Sequence, residues 1–122
     1  MALTVQNMSV KAGERMKITG VPKPKAEGFT INLGYSKEDI TLDFSFTQDN
    51  VCTLKFSGRE TIVPIKRGVD FEIYISLENK KYIIEFPNKG RVSHPNDFHY
   101  EKFAFISVRV ADVRIKGFNI EP

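Results

Sequence analysis

Apolar and polar residues alternate with a period of two through nearly the whole chain, and no other feature limits the fold as strongly. Phe29, Ile31 and Leu33 alternate with Thr30 and Asn32, and Ile40, Leu42, Phe44 and Phe46 with Thr41, Asp43 and Ser45. Phe71, Ile73, Ile75 and Leu77 alternate in the same way with Glu72, Tyr74 and Ser76. Successive side chains of a strand point to opposite faces, so each stretch reads as a strand with one buried and one wet side. Further strands are expected over 15–20, 50–56, 60–64, 82–86, 103–110 and 112–120, with an N-terminal strand over 3–10. No 11-residue window carries a helical stripe; a short helical turn at 96–100 is the most the pattern allows.

Turn chemistry punctuates these strands at short intervals: Lys11-Ala12-Gly13, Pro22-Lys23-Pro24, Gln48-Asp49-Asn50, Arg67-Gly68, Glu78-Asn79-Lys80 and Pro87-Asn88-Lys89-Gly90. Many short strands joined by polar turns predict an all-β fold, an antiparallel β-sandwich of two sheets. The 122 residues suit a single domain over 1–122. A chain of that size buries roughly two-thirds of its unfolded surface and needs no disulfide or metal to fold.

Charge and motif content exclude several functions. Eighteen basic against fifteen acidic residues leave a net charge of +3, too small an excess to imply nucleic acid. Apolar runs of a few residues predict no membrane insertion. The opening Met1-Ala2-Leu3-Thr4 lacks the basic and apolar regions of a secretory signal. With a single cysteine no internal disulfide can form, so a cytoplasmic location is expected. There is no phosphate loop, HExxH, CxxC pair or GxSxG, so no enzyme is expected. His94 and His99 flank Asp97, but the spacing suits neither a strand face nor a helix turn, and no metal or other cofactor is predicted. Cys52 lies in a strand without a neighbouring base and is expected to be a buried core thiol. The basic pairs Lys23/Lys25, Lys66/Arg67, Lys80/Lys81 and Lys89/Arg91 fall mostly in turns, where they solvate the surface and protect edges.

Several stretches, taken in order, resemble the galectins, β-sandwich proteins that bind β-galactosides. Val10-Lys11-Ala12-Gly13-Glu14 with Met16, Ile18 and Gly20 is similar to the family's opening, and Gly28-Phe29-Thr30-Ile31-Asn32-Leu33-Gly34 to its F-x-I-N-L-G strand. Asp39-Ile40-Thr41-Leu42 with Phe44, Val51-Cys52, and the run from Arg59-Glu60 through Pro64 to Gly68 match later framework positions. Phe71-Glu72-Ile73-Tyr74-Ile75, Pro95-Asn96 and Ala111-Asp112-Val113-Arg114-Ile115 complete the set. The resemblance implies a jelly-roll sandwich of about five to six strands per sheet with adjacent terminal strands. It also implies a homodimer through those terminal edges.

The family reads galactose with a His-x-Asn-Pro-Arg cluster, a downstream Asn, a Trp and a Glu-x-Arg pair. Here the cluster reads Asp43-Phe44-Ser45-Phe46-Thr47, the Asn is Thr53, the Glu is Ser57, and only Arg59 remains. The chain has no Trp. By this resemblance the candidate ligand site is Asp43, Ser45, Thr47, Thr53, Ser57 and Arg59 on the concave sheet, with Phe46 or Phe56 available to stack. Each unmatched buried polar group costs on the order of 1–3 kcal/mol, so this set should not hold lactose. The expected function is a galectin-like protein that acts through protein contacts or as a structural component; the alternative is a lectin of shifted glycan specificity. Export by an unconventional route, which galectins can use, is left open by the sequence.

Overall fold

Apolar residues at every second position draw each strand onto a common core, and thirteen strands form. They are β1 (Ala2–Val5), β2 (Val10–Lys11), β3 (Arg15–Pro22), β4 (Gly28–Gly34), β5 (Ile40–Phe46), β6 (Cys52–Phe56), β7 (Arg59–Val63), β8 (Phe71–Glu78), β9 (Lys81–Phe86), β10 (Gly90–Pro95), β11 (Lys102–Phe103), β12 (Phe105–Arg109) and β13 (Val113–Glu121). The computed structural model describes residues 2–5, 9–34, 40–56, 58–78, 81–87, 90–95, 102–103, 105–109 and 112–122. The helical turn expected at 96–100 lies outside these residues, as do His99, Asn7, Met8 and Ser57.

Six strands form one sheet in the order β1-β12-β4-β5-β6-β7, five form a second in the order β10-β9-β8-β3-β13, and β11 pairs with β2. All described pairings are antiparallel. In β3 the burial alternates without a break, Met16 and Ile18 inward and Arg15, Lys17 and Thr19 outward. The inner faces of the two sheets meet in one core, to which β4, β5 and β6 contribute Phe29, Ile31, Phe44 and Leu54, and β3, β8 and β9 contribute Ile18, Ile73, Ile75 and Tyr82. The Phe29 ring stacks on Phe44 with centroids 4.6 Å apart and on Phe71 at 5.6 Å, which ties the two sheets together. This is the expected all-β sandwich.

The structure differs from the strand expectations at three points. The segment 3–10 is not one strand; β1 and β2 join different sheets. Strand β10 has no counterpart in the alternation reading, because Val92 is its only large aliphatic residue and it is an edge. The terminal strands β1 and β13 are edges of opposite sheets rather than hydrogen-bonded neighbours. Only residues 110–112 separate β12 from β13, so β13 stands across from the β1–β12 end of the six-stranded sheet.

Candidate functional site on the outer six-stranded face

Pairing register decides which side chains share a face, since residues directly opposite in antiparallel strands project to the same side. Leu42, Phe44, Cys52 and Leu54 are fully buried, so Thr41, Asp43, Ser45, Thr53 and Lys55 face outward. One outer row runs across the strands as Thr30, Asp43, Lys55 and Glu60, and the next as Gly28, Ser45, Thr53 and Ile62. Arg109, which follows Val108 opposite Ile31, comes alongside Thr30 at the end of the first row. The structure thus brings Asp43, Ser45 and Thr53 together on one surface.

The other expected site residues are placed differently. Arg59 pairs with Phe56, whose ring is buried in the core, so Arg59 projects from the inner side at the exposed edge of β7. Phe56 opposite Arg59 makes residues 57–58 a two-residue connection, with Gly58 at a φ of 80°. Changing a connection by one residue reverses which face the next strand presents. The Thr47 hydroxyl accepts a hydrogen bond from the Val51 N–H at 3.1 Å and serves the turn rather than the face. Phe46 and Phe56 belong to the inner side and offer no outward ring; the Arg67 guanidinium lies 5.2 Å from the Phe46 ring centroid.

Arg67 anchors the loops beneath this sheet. Its Nε donates to the Ala26 carbonyl at 2.7 Å, and its N–H donates to the Asn50 side-chain oxygen at 2.9 Å. Asn50 takes a φ of 60°, a conformation that Asn tolerates better than most residues. Gly68 N–H donates to Pro22 O, and Lys23 N–H to Asp112 O. These bonds carry Asp112 to the foot of β4 and β5, where Glu27, Gly28, Thr30, Asp43, Ser45, Arg109 and Asp112 line a shallow depression of about 340 Å³.

Sequence reasoning missed Ile62 and the depression. Ile62 is 73% exposed, the most exposed large hydrophobic residue among those described, and it stands beside Thr53 on the outer face. No local pattern marks it, because the parity of β7 depends on the connection after Phe56, which only the pairing register reveals. Behind the face, Cys52 is fully buried, as expected, and desolvation pushes its thiol pKa up to about 12. No group of three or more His, Cys, Asp or Glu among the described residues could hold a metal ion. No described helix is long and apolar enough to cross a membrane.

Comparisons with known proteins agree with this architecture. The chain matches the galactoside-binding lectin family profile over residues 2–120. It is similar to the β-galactoside-binding lectin of Electrophorus electricus, 32% identical over 126 residues, with 91% of this chain and 95% of the relative covered. Galectin-2 of Homo sapiens is 27% identical over 116 residues, 88% of each chain. Among solved structures it resembles the galectin-1-L2 of Dario rerio, with a TM-score of 0.78, 30% identity and coverage of 98% and 99%. It also resembles CG-16, a homodimeric agglutinin from chicken liver, with a TM-score of 0.76, 25% identity and coverage of 99% and 100%. Members of this family are carbohydrate-binding proteins, not enzymes. With a matching profile over almost its entire length and a sandwich of the same kind, the chain belongs to the galactoside-binding lectin family, the galectins.

Proposed function

We propose that this protein is a single-domain, non-enzymatic galectin, residues 1–122, whose sugar-reading face is altered so that it does not hold lactose in the family's manner. It would act instead through protein contacts or as a structural component. One observation carries this reading: the outer face bears the charged row Asp43, Lys55 and Glu60 beside Ser45, Thr53 and Ile62, in a chain without Trp. Sugar hydroxyls leave water only for matched donors and acceptors, and sugar C–H groups pack best on a flat ring. Neither is offered in the family's arrangement.

A second reading, a lectin with shifted glycan specificity, draws support from the depression and from the unpaired polar groups around it. A glycan array separates the two. Binding confined to proteins, with no glycan retained, supports the first reading; selective retention of glycans other than lactose supports the second. Retention of lactose and N-acetyllactosamine would overturn both.

The same proposal includes a cytoplasmic location, supported by the unpaired, buried Cys52, and a homodimer through the terminal edges. β1 is a sheet edge with neither Pro nor Lys to guard it, and β13 is an edge carrying Arg114 and Lys116. A mixed edge of this kind suits a modest two-fold dimer that dissociates in about the micromolar range. Sedimentation over a hundredfold dilution should show a dimer converting to monomer, and Val5→Lys should weaken it. Monomer alone at the highest concentration would contradict the dimer.

A further inference from the structure

We propose that Arg91 and Glu78 form a salt-sensitive latch that crosses β9 over Ile83 and holds the edge strand β10 onto the five-stranded sheet. Residues directly opposite in these strands project to one side, so register gives the outer face in rows. Tyr74, Glu85 and Arg91 form one row, Ser76, Ile83 and Ser93 the next, and Glu78 and Lys81 the third. The Arg91 guanidinium on β10 meets the Glu78 carboxylate on β8 at 2.9 Å. The two residues stand at opposite corners of this block, with Ile83 at its centre. Strands about 4.8 Å apart and residues about 3.4 Å apart make the block about 10 Å by 14 Å, with a diagonal that the twist of the sheet shortens. Both side chains must therefore lie stretched along the face, and the line between them passes over Ile83.

A second observation is independent of the ion pair. Ile83 lies between Tyr82 and Ile84, which point into the core, so it points outward; yet it is only 4% exposed. Among the described residues it is the one large buried apolar side chain that stands outside the core cluster. Its row neighbours Ser76 and Ser93 are too short to cover it. An arginine stem lies readily on an apolar surface while its charged head stays in water. The Arg91 and Glu78 side chains, 48% and 53% exposed, fit that arrangement.

The span of this pair sets it apart. Arg15 with Glu121 and Lys17 with Glu72 each join neighbouring strands, β3 to β13 and β3 to β8. Arg91 with Glu78 passes over a whole strand and ties the edge to the sheet's interior. β10 bonds only to β9 and carries a single large aliphatic residue, Val92. An edge that buries so little opens locally at low cost, and once open it offers unpaired N–H and C=O groups to other chains. Half-exposed charges are screened at 1 M salt, where the Debye length is about 3 Å. Ionic strength thus sets how firmly this edge is closed.

The test is amide hydrogen exchange on the intact protein, read by NMR at low salt and at 1 M salt, with rates in β10 taken relative to those in β3. Glu78→Gln at low salt should speed exchange in β10 about two- to fivefold and shift the Ile83 methyl signals. High salt should do the same to the parent protein and add nothing to Glu78→Gln. Arg91→Met, which keeps an apolar stem and removes the charge, should loosen β10 to the same degree. The swapped pair, Arg91→Glu with Glu78→Arg, should restore both the slow exchange and its salt response. Lys17→Ala, on the same face, should leave β10 unchanged. Unaltered β10 exchange in Glu78→Gln, or loosening in only one of the two single variants, would overturn the latch. So would an acceleration spread evenly over all strands, which would make the pair a global stabiliser.

Discussion

The two outer faces of the sandwich treat their charges in opposite ways. On and around the five-stranded sheet, Arg15 pairs with Glu121, Lys17 with Glu72, Arg91 with Glu78 and Lys116 with Asp70, at 2.8–3.7 Å. The Arg15 guanidinium also lies 3.9 Å from the Tyr74 ring centroid, and the Tyr74 hydroxyl donates to Glu72. Partial desolvation, then Glu72, raises the Tyr74 phenol above its ordinary pKa. The outer face of the six-stranded sheet places Asp43, Lys55 and Glu60 abreast, yet none of them is ion-paired among the described residues. Its side-chain hydrogen bonds among the described residues are neutral, Thr41 to Asn32 at 2.7 Å and Thr4 to Ser107 at 3.4 Å. Charges that satisfy one another leave little for a ligand, whereas unpaired ones remain available. Availability distinguishes the faces more than charge content does.

Both faces rest on one core, so the largest effect should remove both at once. Phe44→Ala deletes the ring stacked on Phe29 and should destabilise the fold by about 3–5 kcal/mol, read by chemical denaturation. A loss below about 1 kcal/mol would mean that the faces are held independently.

Alkaline pH offers the next effect in size. The folded Cys52 pKa of about 12 exceeds the ordinary thiol value of 9.0, so the native state keeps a proton that the unfolded chain releases. That contribution is complete below the unfolded value of 9.0 and is lost as pH rises through the folded value, at about 1.4 kcal/mol per unit of difference in pKa. Cys52→Ala should therefore flatten the alkaline fall of stability relative to the parent protein. Parallel curves for the two proteins would place the thiol near the surface.

The smallest effects compare the faces themselves. Arg15→Ala and Lys17→Ala remove partly exposed pairs and should cost about 0.2–1 kcal/mol each, less at high salt. Asp43→Asn and Lys55→Gln break no described ion pair and should change stability by less than about 0.5 kcal/mol. A reversed order, with Asp43 the costlier, would show its charge to be structural.

Much of this was legible in the sequence, for physical reasons that also mark where reading stopped. Strands β3, β5 and β8 bury alternate side chains, so their alternation shows directly which residues face the core. Edge strand β10 buries too little to leave that trace. Asp43, Ser45 and Thr53 were placed because one face of their strands is wholly apolar. Arg59 was not, because the two-residue connection after Phe56 sets the parity of β7, and only pairing register reveals it. The depression joins 27–30, 43–45, Arg109 and Asp112, which come together through backbone bonds such as Lys23 to Asp112 that no local pattern encodes.

A lactose titration at millimolar sugar, followed through the backbone amides of Asp43, Ser45, Thr53 and Lys55, tests the central claim that the six-stranded face does not read lactose. No saturable shift at these amides is expected; a saturable isotherm centred on them would contradict the account.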